Sequence, residues 1–344
     1  KETQKVISDT QPAYLMKIAV DAMGGDYAPD VVVRGAIDAV REYKTEVILV
    51  GDETRIAPLL KKVRRGCDGI SVQHSSEVIG MSESAASSVR RKRDSSIVVG
   101  VNLVKQGKAD AFFSAGNTGA VVCAGTLGLG MLPGIERPGI GMVMPSLKDI
   151  TLLIDVGANI NPKPTQLLQY GIMADIYFRH ILKRENPSVG LLNVGEEESK
   201  GTDFYKETRE LFDTTGLNFI GNVEGKDIFS GKTDIIVCDG FVGNVVLKAS
   251  ESLAEMIQEL LKKHLLKNPL GLFGLLLLGS SLKSFKKKVD YSEYGGAPLL
   301  GVNGVVIIGH GRSNANAVKN AIRVARAEVE NRFTDRILGA IGKS

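Results

Sequence analysis

Four apolar runs, spread from one end of the chain to the other, each stop at a turn bearing glycine and asparagine. They are AFFSAGNTGA (111–120), LLIDVGAN (152–159), IIVCDGFVGN (235–244) and VVIIGHGRSNANA (305–317). A buried strand would end at each turn, and three of the four turns lead into helix-forming sequence. Such a strand–turn–helix presents backbone N–H groups and the positive end of a helix dipole, a setting that suits an anion such as phosphate. Fourfold use of one design puts the expected working surface at the carboxyl ends of strands, along one rim of an α/β sheet.

The rest of the chain alternates in the same way. Strands are expected at 17–21, 46–52, 69–75, 109–114, 188–194, 217–221, 234–239 and 304–309. Helices are expected at 29–43, 53–65, 82–93, 95–107, 116–130, 163–184, 201–215, 243–267 and 314–332. Residues 139–144 and 151–155 read as two strands about a turn at 145–149, a pair that could be antiparallel. Alternating βα units predict a three-layer αβα fold around a large, mostly parallel mixed sheet. There is no repeat of fixed period, although AGN at 115–117 and VGN at 242–244 echo each other at equivalent positions. Residues 16–334 are expected to form one α/β domain of two intertwined subdomains, including an insert at 262–290. An extension at 1–15 precedes Met16, and a C-terminal tail follows at 335–344.

A chain of 344 residues can bury a large core, and 43% hydrophobic with 24% charged residues is ordinary for a soluble globular protein. A net charge of +4 is too small to argue for nucleic acid. Cys67, Cys123 and Cys238 are widely spaced and odd in number, with neither a disulfide framework nor metal-ligand spacing. That pattern fits a reducing cytoplasm. The first fifteen residues contain no apolar signal core.

The motifs DAMGGDYAPD, SAGNTGA, LLIDVGAN, GLLNVGEEESKG, FIGNVEG, DGFVGN, YGGAPLLG and GHGRSNANA follow one another along the chain. In that order they resemble the PlsX family, bacterial phosphate acyltransferases that turn acyl-[acyl-carrier protein] and orthophosphate into acyl phosphate. The resemblance runs from about Met16 to about Arg332. Ala85 and Ala86 stand where the family often has proline, away from the glycine turns. The resemblance implies an isopropylmalate/isocitrate dehydrogenase-like fold, kinship with phosphate acetyltransferases, a homodimer and no redox cofactor. It also implies that acyl phosphate passes to a membrane glycerol-3-phosphate acyltransferase at the start of phospholipid synthesis.

The reaction asks for few parts. Orthophosphate is already a nucleophile at neutral pH, and a thiolate leaves readily. The protein has to hold two anionic partners together and stabilise an oxyanion. Ser114, Gly116, Asn117, Thr118 and Gly119 form the first expected cradle, with hydroxyl, amide and backbone donors; the same residues also serve as helix caps. Asp239, Gly240, Gly243 and Asn244 form the second, Asp239 either orienting a donor or capping a helix. His310, Gly311, Arg312 and Ser313 form the third: His310 could donate to phosphate or protonate the leaving sulfur, and Arg312 could clamp phosphate. Asp21, Gly24, Gly25 and Asp26 are read as turn and network residues with access to the cleft, and two acids alone make a poor magnesium site. Asn159, Lys163, Asn193, Glu196 and Lys200 share the expected rim. Catalytic roles fall to His310, Asp239 and Asn244, with no metal. Cys123 and Cys238 lack an evident base and are read as small buried hydrophobes.

NPLGLFGLLLLG (268–279) is the oddest composition in the chain. It is far shorter than the ~20 residues that cross a bilayer. Lys262, Lys263, His264 and Lys267 precede it, and Lys283, Lys286, Lys287 and Lys288 follow. Leu270, Leu272, Phe273, Leu275 and Leu277 are therefore expected to contact an anionic membrane surface, or else a dimer partner. Arg90, Arg91, Lys92 and Arg93 form the densest basic run, the expected docking patch for an acidic carrier protein. The expected enzyme is cytoplasmic and peripherally membrane-associated. Three rival functions fit the sequence less well. A nicotinamide-dependent dehydrogenase lacks the GxGxxG turn and its acidic partner. A phosphate acetyl- or butyryltransferase using acyl-CoA would not need the greasy insert and basic runs. A lipid-binding module would not need so many anion-ready turns.

Overall fold

The computed structural model describes residues 15–63, 67–266, 279 and 291–341. The expected contacts Leu270, Leu272, Phe273, Leu275 and Leu277, the lysines from Lys283 to Lys288 and nearly all of the 1–15 extension lie outside the described residues. Eleven strands make one sheet: β1 (Lys17–Asp21), β2 (Glu46–Gly51), β3 (Ile70–His74), β4 (Ala111–Ser114), β5 (Gly139–Pro145), β6 (Ile150–Ile154), β7 (Val189–Leu192), β8 (Phe219–Val223), β9 (Ile235–Val237), β10 (Ala297–Leu300) and β11 (Val305–Ile308). Helices α1 (Asp30–Tyr43), α2 (Glu53–Lys61), α3 (Ala85–Arg91), α4 (Ser96–Lys105), α5 (Thr118–Gly128), α6 (Pro164–His180), α7 (Asp203–Asp213), α8 (Asp227–Ser230), α9 (Gly240–Leu266), α10 (Ala315–Glu330) and α11 (Phe333–Ile341) connect and cover it.

Strand residues alternate between two cores because successive side chains point to opposite faces. Ala19, Phe112, Leu153 and Ile236 share one core with α4, α5 and the start of α9. Ile18, Val20, Phe113 and Ile307 pack on the other face with α1 and α10. Further along that second face, Leu152, Ile154, Ile235 and Val237 pack against α6, α7 and α11. The three layers are as expected. The tail expected at 335–344 is instead largely helical: Phe333 and Ile337 of α11 are buried, and Phe333 meets Tyr177 edge-on at 5.5 Å. The helix expected from Ser82 begins only at Ala85, leaving Lys92 and Arg93 beyond its end.

The strand order is β3–β2–β1–β4–β11–β10–β5–β6–β9–β7–β8. β3, β2, β1, β4 and β11 form one parallel block, and β6, β9, β7 and β8 form a second. β10, which the sequence did not reveal, is antiparallel to both β11 and β5, and β5 is antiparallel to β6. Those reversals leave the two blocks pointing in opposite directions, so the expected single rim of carboxyl ends is corrected. The register nevertheless brings the ends together. Ile307 pairs with Pro298, the β10–β5 register continues Pro298 onto Gly141, and Gly141 pairs with Ile154. The last residues of β11 and β6 thus stand at one level, and each block extends away from it. The turns of both blocks face each other across the middle of the sheet.

One contact fixes how closely the second block's turn approaches. A Cβ added to Gly243 would lie 1.9 Å from the carbonyl oxygen of Asp155, a backbone obstacle that no rotamer change relieves. Gly243→Ala is expected to cost roughly 3 kcal/mol or more, at the top of the overpacking range. Gly216, with nothing within 4 Å of an added Cβ, is the matched control. Gly216→Ala should be neutral or stabilising by up to about 1 kcal/mol through the unfolded chain. Urea denaturation of both variants checks this; equal stabilities would show that the start of α9 can move away from Asp155.

Candidate functional site

Each turn at the convergence of the two blocks is built around a committed polar group. In the first block Asp21, wholly buried at the end of β1, accepts from the Ser114 hydroxyl (2.7 Å) and from the Met23 N–H (3.0 Å). The Ser114 Oγ in turn accepts from the Gly116 N–H (3.0 Å). Burial pushes the Asp21 carboxyl up, and these hydrogen bonds, with others from Ser96 and Gly24, oppose it. Gly24 has to be glycine here: a Cβ would lie 2.5 Å from Asp21 Oδ2 and 2.7 Å from Gly116 N.

Asn117 caps α5, its Oδ1 accepting from the Ala120 N–H (3.0 Å). Its Nδ2 donates to the carbonyls of Gly80 (3.2 Å), Met81 (3.1 Å) and Glu83 (3.1 Å), tying down the loop before α3. The expected cradle is therefore corrected. The Ser114 and Asn117 side chains and the Gly116 N–H hold the turn together, and the exposed first-turn residues Thr118 and Gly119 are what the turn offers outward. Their amides have no carbonyl partner within the helix.

In the second block Asp155, buried just past β6, accepts four backbone N–H groups: Ile140 (2.9 Å), Gly157 (3.0 Å) and Ala158 (2.9 Å) on Oδ1, and Asn159 (2.7 Å) on Oδ2. The sequence reading did not single it out. Asn159 donates its side-chain amide to Gln166 (2.9 Å) and Tyr170 (3.2 Å), and its carbonyl accepts from the Gly240 N–H (3.0 Å). Asp239 caps α9, accepting from the Phe241 (3.0 Å) and Val242 (2.9 Å) N–H groups, while its other oxygen accepts from the Tyr205 hydroxyl (2.8 Å). Both Asp239 oxygens are thus spent on architecture, which corrects its expected catalytic part. Asn244, one turn into α9, is exposed and has no hydrogen-bond partner among the described residues.

The third turn follows β11. The Ser313 N–H and hydroxyl both donate to the His310 carbonyl (2.9 and 2.6 Å), and the Gly311 carbonyl accepts from the Asp26 N–H (2.8 Å). The Arg312 N–H donates to His310 Nδ1 (3.2 Å), which assigns the ring proton to Nε2. Nε2 stands 3.4 Å from both Glu251 Oε2 and Lys248 Nζ. Lys248 and Glu251 also pair directly (2.9 Å), and the Arg312 guanidinium pairs with Glu255. Burial works to raise the Glu251 carboxyl, but hydrogen bonds and charge from His310 and Lys248 outweigh it and hold it at about 2.

These pieces enclose a cavity of about 540 Å³. Asp26, Thr118, Asn244, Lys248, Glu251 and the turn from Gly309 to Ser313 form its polar lip. Its wall is apolar: Phe113, Ile140, Met142, Val156, Leu247 and Ile308. Size and lining are those of a small-molecule site. Other expected rim residues stand outside it. Lys163 precedes α6 as its N-cap. Asn193 bonds the Lys200 carbonyl (3.1 Å) in the loop after β7, and Glu196 pairs with Lys226 and Lys232 (both 3.1 Å). Gly25, with φ +100°, supports the turn after β1. Lys248 and Glu251 were missed; the spacing 244, 248, 251, 255 along one helix face was the available signal.

Burial pushes the thiols of Cys123 and Cys238 up, Cys238 well above its ordinary value, which disfavours the thiolate at both positions. Among the described residues no group of three or more His, Cys, Asp or Glu is arranged to hold a metal ion, and no helix is long and apolar enough to cross a membrane.

Comparison with known proteins adds a family, two relatives and two solved structures. Residues 16–336 match the family model described as "Fatty acid synthesis protein". The chain is 50% identical over 326 residues to the phosphate acyltransferase of Pelotomaculum thermopropionicum, covering 95% of each chain. It is 51% identical over 323 residues to that of Geotalea uraniireducens, covering 94% of this chain and 93% of the other. Among solved structures, a phosphotransacetylase from Streptococcus pyogenes superposes with a TM-score of 0.65 at 19% identity, covering 92% of this chain and 94% of that one. A 4-hydroxythreonine-4-phosphate dehydrogenase from Klebsiella pneumoniae superposes with a TM-score of 0.53 at 13% identity, covering 92% and 100%. The two structural likenesses show a shared fold, whereas identity near 50% along almost the whole length shows kinship. The chain belongs to the PlsX family of phosphate acyltransferases, enzymes that transfer an acyl group to phosphate.

Proposed function

We propose that the enzyme transfers a long-chain fatty acyl group from acyl-[acyl-carrier protein] to orthophosphate, and that the acyl phosphate feeds phosphatidic acid and hence phospholipid synthesis. The observation that carries this reading is the two-zone cavity where the two blocks meet: anion-ready turns at the lip and an apolar wall behind them. Phosphate sits at the lip against the first-turn amides of α5, the Asn244 amide and the turn from His310 to Ser313. The first carbons of the acyl chain lie along Ile140, Met142, Val156 and Leu247.

A phosphate oxygen attacks the thioester carbonyl carbon, and the C–O bond forms as the carbonyl π electrons move onto oxygen. Thr118 and Asn244 donate to that oxyanion. The tetrahedral intermediate collapses and the C–S bond breaks; the His310 Nε2–H donates a hydrogen bond to the departing thiolate, which takes up the proton that hydrogenphosphate gives up as the acyl phosphate forms. Glu251 and Lys248 hold the imidazole in place. Phosphate binding exchanges the Glu255 partner of Arg312 for the oxyanion.

The exposed arginines Arg90, Arg91 and Arg93 are the proposed carrier-protein dock. Lys92 leaves that set, because it donates to Glu83 (2.6 Å) and to the Val78 carbonyl (2.7 Å). The helix they flank packs on α5, whose first residue lines the cavity: a Cβ on Gly119 would be 3.1 Å from Ala85 Cβ. The patch thus stands beside the mouth. Phe241, Val245, Leu253, Met256, Ile257, Leu260 and Leu261 are exposed on α9. By helical period most lie on the side away from Asn244, Lys248, Glu251 and Glu255. An apolar stripe of this size is a surface for a second copy. The segment 268–279 that follows, flanked by lysines, is the proposed contact with an anionic membrane, where the lipophilic product passes to a membrane glycerol-3-phosphate acyltransferase.

Three outcomes are expected. Palmitoyl-[acyl-carrier protein] incubated with the enzyme should release free carrier thiol only when phosphate is present. Release without phosphate would mean a thioesterase, and preference for acetyl-CoA would mean a short-chain phosphotransacylase. Charge reversal at Arg90, Arg91 and Arg93 together should raise KM for the acyl-carrier protein by about tenfold or more, with KM for phosphate unchanged; an unaltered carrier KM removes the dock. Replacing Phe273, Leu275 and Leu277 with acidic residues should abolish flotation with anionic liposomes while sparing activity in solution, and continued flotation rejects the membrane contact.

A further inference from the structure

Before a dianion binds, the formal charges that line the cavity balance. Its lining holds two carboxylates, Asp26 and Glu251, against the cations Lys248 and Arg312. Glu251 is engaged with Lys248 and His310, and Arg312 is paired with Glu255. Asp26 is different. It is exposed, and its carboxylate has no hydrogen-bond or ion-pair partner among the described residues. Its own N–H is fixed on the Gly311 carbonyl at 2.8 Å. A Cβ built on Gly311 would stand 3.8 and 3.9 Å from the two carboxylate oxygens. The group therefore hangs over the glycine turn, on the cavity side, where Gly311 has no side chain to intervene.

An acceptor without a donor, placed in an oxyanion site, distinguishes ligands by their protons. Near neutral pH phosphate keeps at least one P–OH, whereas sulfate is a dianion with acceptor oxygens only. An ionised carboxylate takes a hydrogen bond from the first and repels the second. We propose that Asp26 is the specificity-determining residue that admits a protonated oxyanion, hydrogenphosphate, and rejects sulfate. Arsenate, which also carries an O–H, passes the same filter. The inference rests on the assignment of this cavity as the phosphate site.

The test uses the full-length enzyme in the palmitoyl-carrier thiol assay, with sulfate as a competitor of phosphate, alongside calorimetric titration with sodium phosphate and sodium sulfate. In Asp26→Asn, KM for phosphate should rise, Ki for sulfate should fall, and their ratio should narrow about ten- to hundredfold, the worth of one charge-assisted hydrogen bond. Asp26→Glu should keep most of the discrimination, and arsenate should support thiol release by the wild type. The melting temperature should be unchanged in Asp26→Asn, because the carboxylate holds no other part of the fold. An unchanged ratio in Asp26→Asn overturns the inference. Asn244→Ala and Thr118→Val separate the two levels. If they weaken phosphate binding while Asp26→Asn leaves the ratio intact, the filter alone is wrong. If all three variants bind both anions like the wild type, phosphate binds elsewhere and the site assignment falls as well.

Discussion

Asp155 and Asp21 occupy equivalent places, each at or just past the end of a central strand, each buried, and each accepting hydrogen bonds from the turn that follows. An isolated buried carboxylate would be costly. Here the cost is offset by donors that have no other partner: four N–H groups for Asp155, and the Ser114 hydroxyl with turn amides for Asp21. These two anchors decide where the turns can sit. They pull turn amides inward, while Thr118 and Gly119, at the start of α5, stay exposed. Gly243, pressed on the Asp155 carbonyl, and Gly24, pressed on the Asp21 carboxylate, are the close approaches that the arrangement demands.

Strand–turn–helix design was legible because glycine, asparagine and aspartate at the end of an apolar run have few alternatives. How each polar atom is used was not. Asn117 spends its amide on carbonyls more than thirty residues earlier in the chain, and Asp239 receives a hydroxyl from Tyr205 on another helix. Such partners are chosen by tertiary packing, which local pattern does not encode. β10 escaped notice because APLL is four residues long and contains proline, a weak strand signal. With β10 unseen, the reversal between the two blocks was invisible too. Lys248 and Glu251, three residues apart on a long helix, have the spacing of any surface ion pair; only the fold shows that the pair faces His310.

The chemistry that emerges is one of placement. Burial disfavours a thiolate at Cys123 and Cys238, and the donors around the cavity are backbone amides, one asparagine, one threonine, one histidine and the cations Lys248 and Arg312. Nothing there needs to change charge before phosphate arrives, because the nucleophile brings its own. In the proposed reaction the fold contributes placement, through strand ends that approach one level from opposite directions.

α9 joins that placement to the outside of the molecule. Its 27 residues make a rod about 40 Å long. Asn244, Lys248 and Glu251 face the cavity from it, and Leu253, Met256, Leu260 and Leu261 are exposed. One stiff body therefore carries both a wall of the cavity and an exposed apolar face. A load on that outer face would be borne by the same rod that lines the cavity.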